Sequence, residues 1–177
     1  MRQAGPGRAR GRRPAHAEDD RAHHRRYRRV MLRAARPEEA DALRALVERA
    51  YAGYVPLIGR RPAPMDDNYP ARIVAGQATV LERDGAIAAL LVLVDEPDHL
   101  YLDNIAVDPD AHHQGTGRFL LEHVVAEARR RGLPEVRLVT NEKMLRNIGI
   151  YTRFGFEEYA RQEMGGYHRV LMRKRLD

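Results

Sequence analysis

The sequence predicts an α/β domain built on a mixed, mostly antiparallel central sheet flanked by helices. Three observations carry that reading. Apolar runs of strand length alternate along the chain with runs of helical spacing. Two tight turns, Asp84-Gly85 and Glu96-Pro97-Asp98, join three successive strand-like runs, which makes those three antiparallel. The third run, residues 100–107, passes through a glycine turn into a long amphipathic helix.

Each element has its own signal. Residues 30–35 read as a short first strand. Pro37, Glu38 and Glu39 then open a helix, because proline fits the first turn and acids there favour the helix dipole. Leu43, Leu46, Val47, Ala50 and Tyr51 form its buried stripe. Residues 53–70 carry Pro56, Gly59, Pro62, Pro64 and Pro70 and read as an irregular binding loop, in which Tyr54, Arg60, Arg61, Asp66, Asp67 and Tyr69 are candidates to select a substrate. A short helix is expected over 71–75, ending at Gly76.

Residues 78–83 and 86–94 are strands around Asp84-Gly85. The stretch 90–94 is apolar on both faces and is therefore central. After residues 100–107, Leu120, Leu121, Val124, Val125 and Ala128 recur at helical spacing, and Gly132 and Pro134 end that helix. Residues 136–140 form another strand. Thr140 or Asn141 is expected to cap a helix that carries Met144, Ile148 and Tyr151 on one side and stops at Gly155. Residues 156–161 and 168–173 complete the sheet across Gly165-Gly166.

Composition narrows the function. Residues 1–29 hold ten Arg against Glu18, Asp19 and Asp20, a balance of +7, and the remainder carries −1. The first 29 residues are expected to be a disordered Arg-rich tail, because they cannot bury enough apolar area to offset ordering entropy. Residues 30–177 form the domain. A nucleic-acid reader carries its basic patch on the fold, which this near-neutral domain lacks, so nucleic acid is an unlikely partner unless the tail supplies the contact. Cysteine is absent. That excludes disulfides, a thiolate nucleophile and Cys-based metal sites, and it suits a cytoplasmic protein. The histidines show no metal spacing, so no metal is expected. No run of eighteen apolar residues offers a membrane span.

The glycine turn is the first chemical signal. In His112-His113-Gln114-Gly115-Thr116-Gly117, two residues without side chains sit where a helix begins, with its free N–H groups and positive dipole end. This predicts an anion site. The spacing does not fit a nucleotide P-loop, which needs a Lys, or a dinucleotide fingerprint, whose third glycine is replaced here by Leu120.

Val107-x-Pro109, the glycine turn with Leu120-Leu121, and Asn147-x-x-x-Tyr151-x-x-x-Gly155-Phe156 together resemble the GNAT superfamily of N-acetyltransferases over residues 30–177. The resemblance implies two neighbouring parallel strands, 100–107 and 136–140, that splay apart to admit acetyl-CoA as cosubstrate. The Ala106 and Val107 backbone would hold the pantetheine arm. Amides of His113, Gln114, Gly115, Thr116 and Gly117 would hold the pyrophosphate, Asn147 would touch the arm, and Tyr151 would sit near the sulfur. His112 stands where the family turn usually has Gln or Arg. Dimers are common in this superfamily, which makes a homodimer a possibility for this chain.

The chemistry that follows is direct acetyl transfer to a primary amine of a small molecule or an exposed protein amine, such as an N-terminus or lysine. A phenol within hydrogen-bond reach can protonate a leaving thiolate, and Tyr151 is the candidate. Asp103 and Asn104 are polar residues inside a strand that faces the cleft, and Asp103 is the candidate base. The rival reading is a CoA-binding regulatory module that does no chemistry.

Overall fold

A computed structural model describes residues 30–177. The reading of residues 1–29 as a disordered tail lies outside them. Seven strands form one sheet in the order β1-β2-β3-β4-β5-β7-β6. They are β1 (Val30–Ala34), β2 (Ala78–Arg83), β3 (Ala86–Asp95), β4 (Leu100–Val107), β5 (Glu135–Asn141), β6 (Glu157–Met164) and β7 (Tyr167–Arg175). Every neighbouring pair is antiparallel except β4 and β5. The mixed, mostly antiparallel sheet expected from sequence is therefore the one observed.

Helices cover both faces. On one face α1 (Ala40–Tyr51) lays Leu43, Leu46 and Val47 against Val80, Leu90 and Val92. On the other, α4 (Thr116–Arg130) packs Leu120, Leu121, Val124 and Ala128 against Leu91, Leu93, Leu102 and Leu138. Residues of β3 alternate between these two cores, as the apolar run 90–94 required. No helix of the described residues is long and apolar enough to cross a membrane.

Four expectations need correction. The stretch 53–70 is not irregular throughout. It holds α2 (Tyr54–Ile58), a 3-10 turn (Ala63–Asp66) and the start of α3 (Tyr69–Val74). The helix expected at 71–75 begins earlier because Asn68 Oδ1 accepts from the Ala71 N–H at 3.1 Å. Pro70 fits its first turn, where no N–H is needed. The helix α5 (Leu145–Phe154) is capped by neither Thr140 nor Asn141. Both remain in β5, and Asn141 Oδ1 instead accepts from the Lys143 N–H at 2.9 Å, which turns the chain before the helix starts. The last two strands are also longer than expected, and their hairpin tip is the pair Gly165-Gly166.

One irregularity shapes everything that follows. Between β3 and β4 the register steps from Val92↔Asn104 to Leu93↔Leu102, which leaves Asp103 as an extra residue. Residues two apart normally share a face; across this bulge they do not. Leu100 and Leu102 join the α4 core, whereas Ala106 joins the α1 core, and Asn104 bonds tyrosines on the α1 side.

Candidate functional site

The parallel ladder of β4 and β5 runs through Leu100↔Val136, Tyr101↔Arg137 and Leu102↔Leu138 and stops there. Beyond it β4 continues to Val107 and β5 to Asn141 without pairing to each other. The sheet therefore opens into a V, with main-chain groups of β4 facing the gap. Two cavities meet in it. One, of about 350 Å³, is lined by Ala106, Val107, residues 111–113, residues 115–118, Arg146 and Ile150. The other, of about 380 Å³, is lined by Asp67, Arg72, Asp103, Asn104, Tyr167 and Arg169, with other residues. Tyr51, Ile105, Asn147 and Tyr151 line both.

The first cavity ends at the helix start. His113 has φ 60 and Gly115 φ 74, so two left-handed residues within three positions curl the main chain round the N-terminus of α4. For His113 that conformation costs about 1 kcal/mol or more, a strain of the kind that gathers at functional turns. A Cβ on Gly117 would meet nothing within 4 Å, so the face there is open. Side chains of this turn point back into the protein. Thr116 Oγ1 donates to Ala111 O at 3.1 Å, and Arg83 from β2 donates to both Thr116 Oγ1 (3.3 Å) and Gln114 Oε1. His112 Nε2 lies 3.2 Å from Val107 O, which it reaches as a donor. The turn from which the sequence predicts an anion site thus offers main-chain groups, and the Thr116 and Gln114 side chains brace it.

Tyr151 sits at the junction. Its ring packs on Phe156 with centroids 5.9 Å apart, and α5 carries it into the α4 core. Its hydroxyl makes no hydrogen bond to any described residue, and burial pushes its pKa above the ordinary tyrosine value. Asn147, one turn earlier, accepts from Tyr54 Oη at 2.9 Å. Burial therefore keeps this hydroxyl protonated, in a residue that lines both cavities.

The bulge delivers Asp103 to the second cavity. Its Oδ2 accepts from Arg72 Nη2 at 2.8 Å, and burial raises its pKa above the usual carboxylate value despite the nearby Arg72. Asn104, which lines the same cavity, is engaged at both ends of its amide. Its Oδ1 accepts from Tyr51 Oη at 2.7 Å and its Nδ2 donates to Tyr69 Oη at 3.2 Å, while Tyr69 donates to Pro64 O at 2.5 Å. Tyr69 is completely buried, so it cannot select a substrate as the sequence suggested. Arg61 is likewise occupied by Glu48 and Asp66. Arg72, Tyr101 and Arg169 line the site but were not singled out from sequence, and no spacing marks them. Among the described residues no group of three or more His, Asp or Glu is placed to hold a metal ion.

Residues 41–156 match the acetyltransferase (GNAT) family model. The chain is 38% identical over 78 residues to the [ribosomal protein bS18]-alanine N-acetyltransferase of Escherichia coli K12, covering 44% of this chain and 53% of that protein. It is 32% identical over 85 residues to the peptidyl-lysine N-acetyltransferase YjaB of the same strain, covering 48% and 51%. The chain thus spans about half the length of the curated relatives it matches. Its fold resembles the PaiA N-acetyltransferase of Thermoplasma acidophilum, solved in complex with coenzyme A, at a TM-score of 0.70 and 16% identity over 83% of this chain and 99% of that one. The chain belongs to the GNAT acetyltransferase family.

Proposed function

From that membership we propose that this protein is an acetyl-CoA-dependent N-acetyltransferase that moves an acetyl group directly to a primary amine. The observation that carries the reading is the V between β4 and β5, with a main-chain anion turn at the end of one cavity and Asp103 in the other. The open faces of Gly115 and Gly117 and the unpaired strand edge fit a diphosphate and an extended pantetheine arm. The PaiA relative was solved with coenzyme A, and the names of the two E. coli relatives give protein amines, an alanine and a lysine, as acceptors.

The geometry supports the following division of labour. Amides of residues 113–117 hold the diphosphate, the Ala106–Val107 main chain aligns the arm, and Asn147, set by Tyr54, steadies it. Acetyl-CoA supplies a thioester carbonyl, at which the amine nitrogen forms the new C–N bond as the C–S bond breaks. Asp103 accepts the proton lost by the amine, directly or through water. Tyr151 gives its proton to the departing sulfur. The cleft holds no Cys to carry the acetyl group, so transfer needs no covalent enzyme intermediate.

The test is release of free CoA from acetyl-CoA across a panel of amines and peptide N-termini, run beside thermal melting. Acetyl-CoA at about a hundred times its dissociation constant adds roughly 2.7 kcal/mol to stability. No melting shift at millimolar acetyl-CoA overturns the reading. A shift without CoA release on any amine leaves a binding module in its place.

A further inference from the structure

Five charged side chains line the Asp103 cavity, and four of them already have a partner of opposite charge. Arg72 donates to Asp103 (2.8 Å), Asp67 (2.9 Å) and Gln77 (2.9 Å), which satisfies all three of its nitrogens. Asp66 is held by Arg61 at 3.0 Å. The fifth, Arg169 on β7, is half-buried and makes no hydrogen bond or ion pair to any described residue. Its guanidinium carbon lies 4.5 Å from the centroid of the Tyr167 ring. Among the described residues no enclosed side-chain nitrogen or oxygen lacks a partner, so the idle donors of Arg169 are reachable, and it is the cavity that it lines.

A second cation reinforces this corner. The Arg60 guanidinium carbon sits 3.9 Å from the same ring, and its Nη1 donates to Gly165 O (3.2 Å) and Gly166 O (3.3 Å). It too has no carboxylate partner among the described residues. Tyr167 Oη donates to Arg61 O at 2.6 Å, which locks the ring between the α2 side and the β6–β7 hairpin. Two guanidiniums at one phenol repel each other, and ring contact offsets only part of that repulsion. A carboxylate would relieve the repulsion and match the planar fork of Arg169. Across the cavity Asp103 feels the Arg169 charge, yet no ion pair joins them.

We propose that Arg169, backed by Tyr167 and Arg60, is an anion subsite, and that the acceptor therefore carries a carboxylate close to the amine it presents to Asp103. This rests on the acetyltransferase reading of the same cleft. The carboxylate belongs either to a free amino acid or to an acidic side chain near a peptide N-terminus, and the two sources are told apart by experiment.

The full chain, saturated with CoA so that no turnover intervenes, is titrated by calorimetry in two arms. One sets each of the common amino acids against its carboxamide. The other sets tripeptide amides with Asp or Glu at the second position against their Asn or Gln counterparts. In one arm the carboxylate member binds about tenfold tighter or more, as a charge-assisted contact requires. Arg169→Gln removes that preference and Arg169→Lys restores part of it, while acetyl-CoA affinity is unchanged in both. The proposal is overturned by equal or weaker carboxylate binding in both arms, by no measurable binding of any member, or by a preference that survives Arg169→Gln. In these cases wild-type protein that still binds acetyl-CoA leaves the acetyltransferase reading standing; loss of acetyl-CoA binding ends both.

Discussion

On the Gly117 side of the cleft, most of the wall comes from two short stretches of chain, residues 105–118 and 146–151, and the groups offered to a ligand are main-chain amides. The Asp103 side draws side chains from α1, the turns after α2, α3, β4, β5 and β7. Its charges are set by long-range contacts such as Arg72 to Asp103 and Arg60 to Gly165. A main-chain site tolerates change in side chains because its donors are fixed by the turn itself. A side-chain site can be redirected by a single residue. Within one family, then, the first half can stay constant while the second changes acceptor.

The largest effect expected from this contrast lies at the junction. Tyr151→Phe removes the one proton donor without touching the amide turn, so turnover falls by about 10²- to 10⁴-fold while acetyl-CoA affinity is kept. Asp103→Asn has a comparable effect and changes the pH profile as well. Burial raises the Asp103 carboxyl, Arg72 and Arg169 oppose that rise and Asp67 adds to it. The base form is lost as pH falls, so kcat/KM declines on the acid side at a pH above the usual aspartate range, and the asparagine variant lacks that limb. An acid limb below the one set by the amine's own protonation that persists in Asp103→Asn assigns the base elsewhere.

Gly117→Asp probes the main-chain half alone. Gly117 lies in the first turn of α4, is not in a left-handed conformation, and has room for a side chain. An acid there favours the helix dipole and leaves the free protein at least as stable. It also sets a negative charge beside the diphosphate. Acetyl-CoA affinity is expected to weaken by roughly ten- to a hundredfold, with amine affinity little changed. Equal acetyl-CoA affinity by calorimetry separates the turn from the cofactor.

The same contrast explains what could be read in advance. The glycine turn, its flanking strand and helix, and Asn147 and Tyr151 are local patterns whose geometry follows from a few consecutive residues. Asp103 and Asn104 stood out as polar residues in a strand, but strict alternation does not reveal a bulge that brings both to one cavity, the first paired with Arg72 and the second with buried tyrosines. Tyr51 was visible only as part of an apolar stripe, since helical spacing says nothing about where a hydroxyl ends. Arg72 and Arg169 look like any surface arginine. What distinguishes them is that one is saturated and the other idle, a property of the folded arrangement. The turns within 53–70 escaped notice because proline was counted as a breaker, although it fits the first turn of α3 and of the 3-10 segment.

The smallest expected effect tests where the two halves join. Tyr54 belongs to α2, on the acceptor side in sequence, yet its hydroxyl serves Asn147 on the cofactor side. Tyr54→Phe keeps the ring against Tyr51, whose centroid is 6.0 Å away, and removes only the hydrogen bond. Asn147 keeps its place but loses orientation, so acetyl-CoA should bind about threefold more weakly, the low end of a single neutral hydrogen bond. In the Asn147→Ala background the same change should have no further effect, since the bond's acceptor is already gone. If Tyr54→Phe instead raises the amine KM at constant acetyl-CoA affinity, α2 acts wholly with the acceptor half, and the boundary between the halves moves to the far side of Asn147.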